Sequence, residues 1–304
     1  MPRKTFVYLQ ARAVYTSFTC NEKPAMLHYK EFFLGENEDW VVFIHGAGGS
    51  SSIWYKQLRD FTKEFNVLLI DLRGHGKSQT MLERYQNENY TFKEISAEIL
   101  EVLDYLKISS AHFVGISLGT IIIRTIGELA PERINTMVMG GAITRFNTRS
   151  KILIWLGHMT KRFIPYMWLY SLFAWIIMPS RRHKHSRLLF INEAKKLCQR
   201  EFIRWFRLTN EANPLLRYFK EKEIPVPTLY LMGDEDYMFL PPVQALVRQH
   251  KYAALRVISN SGHVCNVDQP ERFNDFSIQF IKEHLKSHSA LQSAPRPTTD
   301  HQEL

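Results

Sequence analysis

Gly115-Ile116-Ser117-Leu118-Gly119 places a serine between two glycines, directly after the apolar run Ala111-His112-Phe113-Val114. A serine hydroxyl is a weak nucleophile at neutral pH and becomes a strong one where a base within hydrogen-bond reach takes its proton. The run before Ser117 predicts a short buried strand, and Thr120 to Ile126 predicts a helix after it. A sharp strand-to-helix turn of this kind exposes the hydroxyl on a strained backbone, and the glycines let neighbouring chain pass without a clash. Alone, the pattern also suits an ordinary loop. Catalysis requires a base, a group to orient it and donors for a developing negative charge.

Each has a candidate at the end of a predicted strand. His263, in Asn260-Ser261-Gly262-His263, follows the strand Leu255 to Ile258, and Gly262 permits a turn that swings the imidazole toward Ser117. Asp234, Glu235 and Asp236 follow the strand that ends at Gly233, and spacing alone leaves all three open as the orienting acid. The strand Trp40 to Ile44 leads into His45-Gly46-Ala47-Gly48-Gly49-Ser50. This glycine-rich turn lacks both the Lys-Ser/Thr of a P-loop and the Gly-x-Gly-x-x-Gly of a dinucleotide site, so phosphate binding is disfavoured. Its small residues let a substrate approach the main chain, which makes the Ala47 N–H the natural oxyanion donor.

The elements that must hold these groups follow a strand–helix rhythm. Strands are predicted at Trp40–Ile44, Asn66–Ile70, Ala111–Val114, Ile134–Met139, Val226–Gly233 and Leu255–Ile258. Helices are predicted over Phe92–Leu106, after the serine, from Pro242 to His250 and from Pro270 to Lys286. Phe6 to Leu34 suggests an opening hairpin turning at Asn21-Glu22-Lys23-Pro24. The alternation argues for an α/β fold: a mostly parallel sheet with helices on both faces. Residues 146–222 break the rhythm with helical spacing and no strand, and are read as an inserted helical cap. Residues 1–145 and 223–288 then form the core, and 289–304, rich in Ser, Pro, Thr and Gln, are read as a disordered tail.

Asp71-Leu72-Arg73-Gly74-His75-Gly76-Lys77-Ser78, taken with His45-Gly46-Ala47-Gly48-Gly49 and Gly115-Ile116-Ser117-Leu118-Gly119 in that order, resembles the α/β-hydrolase superfamily. The resemblance runs over residues 26–288 with a poor match in the middle. It implies an esterase- or lipase-like serine hydrolase in which His263 deprotonates Ser117 and the N–H groups of Ala47 and Leu118 hold the oxyanion. Relatives carry the acid three residues after a glycine, which selects Asp236 and leaves Asp234 to the turn. The chain order Ser117, Asp236, His263 is the order expected of that fold. Serine at this position also separates the chain from relatives that use an aspartate nucleophile on haloalkanes or epoxides. Two departures stand out: Thr120 where a small residue is common, and Tyr237 where proline is common.

With 304 residues, 45% of them hydrophobic, the chain can bury a sizeable core. A net charge of +9 favours anionic partners, but there is no zinc-finger spacing, RNP-like motif or basic repeat, so nucleic acid is not expected. Cys20, Cys198 and Cys265 form neither a disulfide framework nor a metal cluster. The N-terminus lacks a long apolar region and cleavage site, and a cytoplasmic protein is expected. No cofactor or metal is needed, and His183 and His185 are read as part of a basic surface.

Between Pro165 and Pro179 lies Tyr166-Met167-Trp168-Leu169-Tyr170-Ser171-Leu172-Phe173-Ala174-Trp175-Ile176-Ile177-Met178, flanked by Lys161-Arg162 and Arg181-Arg182. It is shorter than the roughly 20 residues of a spanning helix. The expectation is that it lines the cap core and roofs an acyl pocket; the alternative is an interfacial helix making peripheral membrane contact. The expected substrate is a small apolar or lipid-like carboxylic ester. Thioesters, lactones and C–C bonds remain alternatives, as does a receptor role on the same fold.

Overall fold

A computed structural model describes residues 26–83, 90–160 and 163–293. Seven strands form one sheet: β1 (Tyr29–Phe32), β2 (Trp40–Ile44), β3 (Asn66–Ile70), β4 (Ala111–Ile116), β5 (Ile134–Gly140), β6 (Thr228–Gly233) and β7 (Ala253–Ile258), in the order β1-β3-β2-β4-β5-β6-β7. Only β1 runs antiparallel, against β3; the other pairings are parallel. Of the expected opening hairpin only β1 is seen, and the segment before residue 26 lies outside the described residues.

The central strands are apolar on both faces because both are covered. Val42 and Ile44 point into one layer with Ile95 and Ile99 of α2 (Phe92–Tyr105) and Ile122 and Ile126 of α3 (Leu118–Leu129). Val41 and Phe43 point into the other with Phe61 of α1 (Tyr55–Phe61) and with Phe273 and Ile281, which lie on the C-terminal helix. Alternation at period two thus feeds two cores from one strand. The Thr91 hydroxyl caps α2 by accepting from the Glu94 N–H at 3.1 Å.

Four helices are inserted between β5 and β6: α4 (Thr148–Thr160), α5 (Tyr166–Ile177), α6 (Lys184–Ala194) and α7 (Gln199–Glu221). They occupy the stretch read as a cap, and no strand interrupts them among the described residues. Then α8 (Leu240–Val247) follows β6, α9 (Cys265–Asp268) follows β7, and α10 (Pro270–Ser293) ends the described chain. α10 continues past Lys286 into the first residues of the segment read as tail; 294–304 lie outside the described residues.

β4 turns into α3 at Ser117, whose backbone is left-handed at φ 54° and ψ −120°. The Ser117 N–H donates to the Gly140 carbonyl at 2.9 Å, tying the turn to the end of β5. Gly119 lies against the end of β2, where a Cβ would run into the carbonyl oxygens of Ile44 and His45. Thr120 is accommodated because its hydroxyl donates to the Ser117 carbonyl at 2.6 Å within the first turn of α3. Gly119→Val is expected to cost about 1–3 kcal/mol, since backbone must move. Urea unfolding checks this, and an unchanged midpoint would show that the β2–α3 approach is looser than described.

Candidate active site

Three loops at the carboxyl ends of β4, β6 and β7 bring Ser117, Asp236 and His263 together. His263 Nε2 lies 2.9 Å from Ser117 Oγ, and His263 Nδ1 lies 2.8 Å from Asp236 Oδ2. Asp236 is completely buried, and its other oxygen accepts from the Phe239 N–H at 3.2 Å. With its carboxylate on the Nδ1 side, the imidazole carries its proton there and offers Nε2 as acceptor to the serine hydroxyl. The Phe239 ring packs on His263 at 4.9 Å between centroids.

The neighbouring carboxylates have other duties. Asp234 accepts from the Ser261 N–H at 3.1 Å and shapes the turn, while Glu235 meets Arg182 at 3.1 Å. Neither is hydrogen-bonded to His263; of the three adjacent carboxylates, Asp236 is the one that meets the imidazole.

Ala47 and Leu118 line the same pocket as Ser117. Leu118 is the first residue of α3, and its N–H is one of the four that a helix leaves without an intrahelical acceptor. The Ala47 loop is fixed by His45 and His75, which lie in the motifs quoted above but carry no role legible there. His75 Nε2 accepts from the Gly48 N–H at 2.9 Å, and His45 Nε2 accepts from the Leu72 N–H at 3.0 Å. Each Nδ1 then carries the proton and donates to a carbonyl, of Arg73 and Gly46 respectively. Burial keeps both rings neutral: it lowers His45, and it lowers His75 to about 3 with help from the neighbouring His45. Burial acts to raise Asp71, yet the N–H groups of Lys77 and Ser51 outweigh it and hold the carboxyl below its ordinary value.

The cap grips this loop too. The Tyr170 hydroxyl on α5 donates to the Ala47 carbonyl at 2.8 Å, and the Ser50 hydroxyl donates to Glu193 on α6 at 2.8 Å. His183 departs from its reading as surface. It is buried against Gly262, with Nε2 3.5 Å from Glu235 and 3.8 Å from Asp268, whereas His185 is exposed. No cluster of three metal-ligating side chains occurs among the described residues.

Above Ser117 opens a pocket of about 200 Å³ between cap and core. Its walls include Leu153 and Ile154 of α4, Phe173 and Ile177 of α5, and Phe206 of α7, and no charged side chain lines it among the described residues. Such a pocket favours an uncharged apolar group, because a buried, unpaired carboxylate would be strongly disfavoured.

A family model described as the alpha/beta hydrolase fold matches residues 39–163. The chain has the alpha/beta hydrolase fold. It is 27% identical to the protein named "Putative carbamate hydrolase RutD" from Acinetobacter baylyi, over 81% of this chain and 94% of that one. It is 24% identical to 3-oxoadipate enol-lactonase 1 of the same organism, over 81% and 90%. Its fold matches a thermophilic esterase from Thermogutta terrifontis with a TM-score of 0.70 at 16% identity, over 85% of this chain and 93% of that one.

The neutral histidines predict an acid-sensitive fold. In the unfolded chain His75 titrates near 6.5, whereas folded it stays neutral down to about 3, so between these values the unfolded state binds more protons. The stabilisation is complete above pH 6.5 and is lost as pH falls toward 3, by at most about 1.4 kcal/mol per pH unit. His45 and His28 shift in the same direction. Urea unfolding at about pH 7 and about pH 4.5 should show this slope, and His75→Gln should flatten it. An equal slope in the variant would contradict the assignment.

Proposed function

We propose that this protein is a serine hydrolase cleaving carboxylic esters with an apolar acyl or alcohol part. The reading rests on one observation: the hydrogen-bonded line Asp236–His263–Ser117 ends at an apolar pocket without charged walls. His263 takes the Ser117 proton as Oγ attacks the acyl carbon, forming a tetrahedral intermediate. The N–H groups of Ala47 and Leu118 stabilise its oxyanion, and Asp236 stabilises the imidazolium. His263 returns the proton to the leaving alcohol. Water activated by the same histidine then releases the acid from the Ser117 acyl-enzyme.

The relatives' names include a carbamate hydrolase and an enol-lactonase, so they support hydrolysis more broadly than they support an ester. A lactone is itself a cyclic ester and follows the same steps. Lack of a cation in the pocket argues against a carboxylate placed there and favours uncharged substrates.

Turnover of p-nitrophenyl esters of graded acyl length tests the reading. Ser117→Ala and Asp236→Asn should each lower kcat by roughly 10⁴-fold or more, with circular dichroism unchanged, while Asp234→Asn keeps most of its activity. Sustained loss in Asp234→Asn but not Asp236→Asn would overturn the acid assignment. No turnover of any ester or lactone by the folded wild type, with ligands still raising its Tm, would favour the receptor role instead.

A further inference from the structure

The cap has a second apolar face that the pocket does not use. On α4, Ile152, Trp155, Leu156 and Met159 recur at helical spacing and are all exposed, Trp155 at 63%. On α5, Trp168, Leu172, Trp175 and Ile176 form a like stripe, with Trp168 at 74%. Between the helices Phe163 is exposed at 86% as well. Water-facing tryptophans in this number mark an interaction surface, since scattered exposed side chains do not form helical stripes.

Charge tells what covers it. From Arg133 to Asn192 the chain contains no aspartate or glutamate. In sequence, Arg149 and Lys151 precede Ile152, Lys161 and Arg162 precede Phe163, and Arg181 and Lys184 follow Ile176. Lys151, Arg181, Lys184 and His185 are exposed. Aromatic and aliphatic side chains rimmed by cations suit the headgroup boundary of an anionic bilayer, where the rings enter the acyl edge and the cations meet lipid phosphates. A second copy of the chain would bring two acid-free basic segments together, and so is disfavoured. Among the described residues no helix is long and apolar enough to cross a membrane, so the contact lies along the surface.

We infer that the outer face of α4 and α5 docks this protein on anionic membrane surfaces. The same two helices wall the pocket from within, through Leu153 and Ile154 on one and Phe173 and Ile177 on the other. The inner side of α5 also carries Tyr170, which holds the Ala47 loop. A helix pair resting on lipid therefore sets the pocket wall one side-chain layer from the acyl region, which points to membrane-partitioned apolar esters as substrates. That substrate class rests on the hydrolase reading; the docking itself does not.

Flotation of the full chain with phosphatidylcholine vesicles, with or without phosphatidylglycerol, tests this at low and high salt. The wild type should float with the anionic vesicles at low salt, and less at high salt. Trp155→Ser/Trp168→Ser should lower the bound fraction roughly tenfold, as should Lys151→Glu/Arg181→Glu/Lys184→Glu. Neither tryptophan lines the pocket, so hydrolysis of a soluble short-chain ester and the Tm should be retained. Failure of the wild type to float at low salt would overturn the inference, as would full binding by the tryptophan variant. So would sedimentation showing a wild-type dimer that the tryptophan variant converts to monomer, because the face would then belong to a second copy. Flotation as expected without any ester turnover would leave docking standing and remove the hydrolase reading.

Discussion

The left-handed backbone of Ser117 is the constraint on which the site depends. A side chain at φ 54° is unfavourable on its own and persists only where the surroundings over-determine it. Here the Ser117 N–H is fixed to Gly140 on β5, the next residues enter α3, and Gly119 lets that helix lie against the end of β2. The outcome is a hydroxyl raised above the sheet, next to the unpaired N–H groups of a helix N-terminus. One strained residue thus sets the direction of the Ser117 hydroxyl and of the Leu118 N–H together.

The Ala47 loop is held for a different reason. Between residues 45 and 50 the chain has little side-chain bulk of its own, and its order comes from partners elsewhere: neutral His75, the carboxylate of Asp71, and Tyr170 and Glu193 from the cap. A neutral imidazole is needed there because a protonated ring could not accept the Gly48 N–H. The buried pair of Arg73 and Glu98, joined by two contacts of 2.8 Å, anchors the next loop, and Trp205 of α7 donates to the Arg73 carbonyl at 3.2 Å. The helices α5, α6 and α7 are therefore bound into the loops of the site.

Much of this was legible in the sequence where the signal is local. β2 and β3 have the bounds that their apolar runs predict, because strands buried on both faces are continuous hydrophobic segments with polar ends. Asp236 stands out from its neighbours in the sequence only through family resemblance. Asp234, Glu235 and Asp236 are adjacent and chemically alike, and what separates them is direction: one meets a backbone N–H, one an arginine, one the imidazole. The roles of His45, His75 and Tyr170 were not legible, because side chain–backbone bonds between distant loops leave no period in the sequence. His183 misled for the opposite reason. A histidine within Arg181-Arg182-His183-Lys184 suggests solvent, yet folding turns that one ring inward beneath Gly262. The expected cap helix under Tyr166 to Ile177 held as a helix, but only one side of it lines the pocket.

The central claim is that Ser117 is an activated nucleophile, and covalent labelling asks this without assuming a substrate. The folded protein would be treated with a fluorophosphonate and its peptides mapped by mass spectrometry. The account predicts one adduct, on the peptide carrying Ser117, and loss of that adduct in a folded His263→Ala variant. A folded wild type that stays unlabelled, or that is labelled at another serine while Ser117 remains free, would contradict it.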